Sequence, residues 1–97
     1  MVATSRSDIR EAILDELADV EGVDRGEIDG AIGTVGGDEM YELESKTAEA
    51  VLAGLSARFG VALPGPADLE PEQFTTVDAL VALVAAKLVT DSAGDAA

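Results

Sequence analysis

The chain has 97 residues, 47% of them hydrophobic but only 3% aromatic; this sets one small domain with an aliphatic core, which suits packed helices better than a sheet sandwich. Cysteine and histidine are both absent, which excludes a disulfide framework, a Cys-ligated zinc, and any Ser-His-Asp or Cys-His constellation within the chain, so no enzyme is expected. The formal charge of −14 opposes binding to nucleic acid or an anionic bilayer and favours basic partners.

Ser5 or Ser7 can cap a first helix, with Asp8 and Glu11 near its positive end. Ile9, Ile13, Leu17 and Val20 then recur at spacings of four, four and three, and Gly22 closes the pattern. From Val23 to Leu43 the periodicity dissolves. Gly30, Gly33, Gly36 and Gly37 fall in this stretch, and each glycine inside a helix costs about 1 kcal/mol relative to alanine. The stretch is therefore expected as a long loop, pinned by Val23, Ile28, Ile32, Val35, Met40 and Leu43.

The second long helix starts at Ser45. Val51, Leu52, Leu55 and Phe59 form its apolar stripe, and Gly60 stands at its C-cap. Pro64 and Pro66 then break the chain, and "ADLEPEQ" has room for one short helical turn. Thr76 is placed to cap a last helix whose apolar face is Val77, Leu80, Val81, Val84 and Leu88. The expected fold is all-α, a small four-helix bundle with three principal helices and one short one. Its long loop lies between the first two helices. Residues 1–90 are expected as a single domain and 91–97 as a disordered tail. No run approaches the ~18 apolar residues of a membrane span, and "MVATSRSDIR" lacks a charged-then-apolar leader pattern, so a cytoplasmic monomer is expected.

Several chemical motifs fail on spacing. The glycines of "GAIGTVGG" do not follow G-x-G-x-x-G, and no G-K-[ST] follows them. The acids between Asp24 and Glu44 match no calcium-loop register, and no metal site is expected. A shallow bundle offers little cleft for paired carboxylates to work on a sugar chain.

Ser45 remains, where the long loop meets a helix N-terminus. Two roles are open to it. Its hydroxyl can cap the free N–H groups of the first turn, or it can carry a phosphate ester beside those same groups and the positive end of the helix dipole.

The segment "LESKTAEAVLAGLSARFGVALP" resembles the acyl carrier protein family around its phosphopantetheine attachment serine. That family shows an aliphatic residue, then Asp-Ser-Leu, an amphipathic helix, and an ending like Phe-Gly-x-x-x-Pro. The matching residues here are Leu43, then Glu44, Ser45 and Lys46, then the stripe Val51, Leu52 and Leu55, and finally Phe59, Gly60, Leu63 and Pro64. The start of the last helix, "FTTVDALVALV", is similar to the family's Ile-Thr-Thr-Val opening. The resemblance covers Ser7 to Leu88 and has specific motifs in about half of it.

The resemblance implies a free-standing carrier rather than a catalyst. Its cofactor would be 4′-phosphopantetheine, covalently attached to Ser45 by a phosphopantetheinyl transferase. Acyl intermediates would ride on the arm as thioesters between acyl-loading and acyl-transferring enzymes, in polyketide, lipopeptide or other specialised assembly. Glu44, Lys46 and Glu49 are the residues it implies for partner recognition. Glu44 replaces the usual Asp and Lys46 the usual Leu. From Ser45 to Gly60 the cations Lys46 and Arg58 outnumber Glu49, whereas thirteen of the twenty acids lie at or before Glu44. Partners are therefore expected to tolerate a less acidic helix and to use the first helix or the loop instead. The alternatives are an aminoacyl or peptidyl carrier, and an acidic helical interaction module without cargo. Small residues on the helices, among them Ala48, Ala50, Ala53, Gly54, Ala79 and Ala82, suit either close packing or a bundle that parts to admit an acyl chain.

Overall fold

The computed structural model describes residues 5–96, with side chains through residue 88. Four α-helices follow one another: α1 (Arg6–Glu21), α2 (Arg25–Val35), α3 (Ser45–Phe59) and α4 (Val77–Ala96). Two 3₁₀ turns, Pro66–Asp68 and Pro71–Gln73, lie between α3 and α4. The described residues contain no strand, only an isolated antiparallel bridge between Glu42 and Thr76. The backbone of α4 stays helical to Ala96. The side chains of the expected tail, 91–97, lie outside the described residues.

α1 is the hub. It packs against α2, α3 and α4, and its sequence is built for that. At about 100° per residue, Ile9, Ala12, Ile13, Leu14, Leu17 and Ala18 cover an arc of about 240°, and none is more than 7% exposed. The buried residues of α3 (Ala48, Val51, Leu52, Leu55) and of α4 (Val77, Leu80, Val81, Val84) each span about 100°, the width of a single core-facing stripe. Leu14 lies off the single stripe expected for α1, yet it is fully buried because a second partner helix covers that side. Val20 is on the stripe but sits in the last turn and is exposed.

The caps follow the sequence. Ser5 begins α1 with a reciprocal pair: the Asp8 amide donates to Ser5 Oγ at 3.0 Å, and the Ser5 amide donates to Asp8 Oδ2 at 3.4 Å. Gly22 and Gly60 close α1 and α3 at φ of 71° and 67°, the left-handed conformation that glycine adopts without a Cβ penalty.

α2 corrects the expectation of a long loop. Its glycines disfavour helix, but Ile28 and Ile32 are one turn apart and both are buried. Arg25 at its first position reaches Glu11 and Asp15 on α1 at 2.7 and 2.9 Å. Packing an apolar pair and an ion pair against α1 outweighs propensity, as tertiary contacts commonly do. Val35 and Met40, also expected as anchors, are instead 46% and 60% exposed. The expected minor helix in "ADLEPEQ" divides into the two 3₁₀ turns. Each turn starts on a proline, and Glu70 ahead of Pro71 is held extended at ψ 149°, because the proline ring disfavours the helical region for the residue before it.

Arginines lock the hub to its neighbours. Arg10 of α1 grips Asp38 with two bonds, from Nε at 2.6 Å and from Nη2 at 3.1 Å. Arg58 of α3 donates to Glu16 of α1 at 2.9 Å. Asp15 is shared between Arg25 and Arg58, so one α1 carboxylate joins α2 and α3. The hydrogen bond to Asp38 outweighs desolvation and raises the pKa of Arg10. Burial opposes charge on Arg25, but bonds to Glu11 and Asp15 raise its pKa as well. Both guanidiniums stay charged wherever the protein folds.

Candidate functional site

The start of α3 is positioned by the start of α4. The Leu43 amide donates to the Thr75 carbonyl at 2.7 Å, and Glu42 bridges Thr76. Upstream, the Asp38 carbonyl accepts from the Asp78 amide at 3.3 Å while the Asp38 carboxylate is held by Arg10. Leu43 and Ala48 are both buried and occupy the two positions of a hydrophobic staple, which sets the angle at which the chain enters the helix.

Ser45 thus follows a hydrogen-bonded lead-in, but it is not the cap. Glu44 holds the N-cap position, and its side chain makes no capping bond. Ser45 is the first helical residue and is exposed, and its hydroxyl has no partner among the described residues. The amides of Ser45, Lys46 and Thr47 likewise have no acceptor among the described residues. At α1 and α4 one of the three equivalent donors is met by a side chain: Ser5 Oγ accepts from the Asp8 amide at 3.0 Å, and Thr76 Oγ1 accepts from the Ala79 amide at 3.1 Å. Three free N–H groups and the helix dipole make the start of α3 favourable for an anion.

The other residues named from the sequence surround Ser45. Glu44 and Lys46 flank it, and Glu49 lies one turn along on the same face; all three are exposed. None of the three forms an ion pair among the described residues. The first turn carries no acid, and Lys46 places a cation at the positive end of the dipole, where it is unfavourable. A phosphodiester on Ser45 Oγ would answer both the cation and the free amides, so the residues present fit the group.

Beside Ser45 lies a shallow polar hollow of about 260 Å³, lined by Glu21, Tyr41, Glu42, Leu43, Glu44 and Thr47. Thr47 was not singled out from the sequence, although it stands three residues after Glu44. Glu21 comes from the end of α1 by tertiary packing, and no local pattern points to it. No acidic group among the described residues has the arrangement of a metal site.

The small residues divide by role. Ala48 is fully buried, whereas Ala50 and Ala53 face solvent. A Cβ on Gly54 would come within 2.6 Å of Glu16 Cδ, so this glycine makes room for the carboxylate that Arg58 holds. Ala79, Ala82, Leu83 and Ala86 line an apolar groove of about 290 Å³ against Glu72 and Gln73.

Fold and site together define a small helical bundle that presents an exposed serine at the start of α3, without a partner among the described residues. No family model matches the chain, and no curated protein or solved structure matches it.

Proposed function

We propose that the chain is an acyl carrier protein that accepts 4′-phosphopantetheine on Ser45. The observation that supports this most directly is the hydroxyl itself: exposed, and, among the described residues, without a hydrogen bond and next to three amides without acceptors. A serine needed only as a cap would engage those amides. In the attachment step Ser45 Oγ forms the new bond to phosphorus, adenosine 3′,5′-bisphosphate leaves from coenzyme A, and the transferase takes the hydroxyl proton. Once attached, the group supplies the thiol that this cysteine-free chain lacks, on which an acyl group is held as a thioester. The chain's own part is presentation. The pinned Leu43 fixes the direction of Ser45, the α3 amides and Lys46 stabilise the diester, and the exposed Glu44 and Glu49 offer carboxylates to basic partner enzymes.

The test is intact mass after incubation with coenzyme A, Mg²⁺ and a promiscuous phosphopantetheinyl transferase, beside Ser45→Ala. A gain of one phosphopantetheine on the parent chain and none on the variant is expected. No gain on a sample shown to be helical by circular dichroism would overturn the carrier role in favour of an acidic interaction module.

A further inference from the structure

We infer that α2 is a hinged cover that opens as a unit while α1, α3 and α4 stay packed. Gly26, Gly30 and Gly33 fall on one face of α2, opposite the buried Ile28 and Ile32. All three are exposed, none has a positive φ, and an added Cβ would meet nothing within 4 Å. Neither sterics nor backbone conformation calls for glycine at these positions. Their effect is on the helix, which each destabilises relative to alanine.

Independent features point the same way. α2 has 11 residues, too short to persist alone. Its N-cap, Asp24, makes no side-chain bond to the first turn. Two apolar side chains and the Arg25 pairs to Glu11 and Asp15 hold it to α1. Glycines of positive φ stand at both ends, Gly22 on one side and Gly36 and Gly37 on the other, at φ of 71°, 110° and 118°.

The cover also has fixed limits. The Val23 amide is bonded to Ala18 at 3.0 Å. Beyond the second hinge, Asp38 is gripped by Arg10 and by the α4 start. Opening therefore stops at Asp38 and leaves the lead-in to Ser45 in place. It uncovers the side of α1 that Ile28 and Ile32 protect and breaks the Arg25 contacts to α1, whereas the Arg25–Asp29 pair travels with the helix. The inference does not rest on the carrier reading and is tested on the unmodified chain.

The experiment is native-state hydrogen exchange across low denaturant concentrations. Amides 29–35 of α2 are expected to exchange at least a hundredfold faster than amides 13–17 of α1, after correction for intrinsic rates, with little dependence on denaturant. Replacing Gly26, Gly30 and Gly33 together by alanine is expected to slow α2 exchange about a hundredfold. Arg25→Gln is expected to accelerate it several-fold without affecting α3. Equal exchange free energies and equal denaturant slopes in α1 and α2 would show one cooperative unit and overturn the inference. So would a triple-alanine variant with α2 exchange unchanged or faster.

Discussion

Along α1, Arg10, Arg25 and Arg58 gather Asp38, Glu11, Asp15 and Glu16 into ion pairs that tie three helices and a loop together. At the start of α3, Glu44, Lys46 and Glu49 have no such partners among the described residues, and three backbone amides and a hydroxyl have no acceptor among them. Both regions are polar and partly exposed. The first closes its polar groups on one another, and the second leaves them exposed to solvent.

The largest test of this contrast lies in the hub. Leu17→Ala removes a fully buried side chain from a helix packed by three others, and a loss of about 2–5 kcal/mol is expected in urea unfolding. A loss under about 1 kcal/mol would mean that α1 is not the shared support of the bundle. Thr76→Ala removes the cap that Ala79 uses and should cost about 1 kcal/mol. Ser45→Asp puts a charge beside the three free amides, and a gain of about 0.5 kcal/mol is expected. Ser45→Ala, at the first helical position rather than the capping position that Thr76 holds, should change stability by less than about 0.5 kcal/mol, because no bond among the described residues is lost. A cost equal to that of Thr76→Ala would show that the hydroxyl is used as a cap in solution and would erase the difference between the two helix starts.

Salt sharpens the contrast further. Screening weakens the arginine pairs along α1, but it also weakens self-repulsion at a net charge of −14. The pairs are few and exposed, and such pairs contribute little each, so repulsion dominates. The melting temperature should rise between low and moderate ionic strength. A fall would show that the pairs along α1 carry more stability than the net charge removes.

Much of this was legible in the sequence, for reasons that also explain what was not. Caps and stops depend on residues next to one another: Ser5 with Asp8, Thr76 with Ala79, and Gly60 after Phe59 all stand where local chemistry predicts. The stripes of α3 and α4 were legible because each helix has one buried face. α1 has more than one, and a single stripe could not show that Leu14 is as buried as Leu17. α2 was missed because its glycines argue against helix locally, while the forces that form it, Arg25 to Glu11 and Ile28 against the core, come from elsewhere in the chain. At the site, sequence adjacency brought Glu44, Ser45 and Lys46 together. That Glu44 takes the N-cap and leaves the Ser45 hydroxyl free depends on backbone geometry that either serine role permitted.

The polar hollow beside Ser45 has a practical consequence. Tyr41, half-buried in its wall, is the chain's single tyrosine, and there is no tryptophan. Emission excited near 280 nm thus comes almost entirely from one phenol a few residues from the proposed attachment point. The unlabelled protein carries its own optical reporter there, and a change in its emission during incubation with the transferase would give a dye-free readout of the proposed loading.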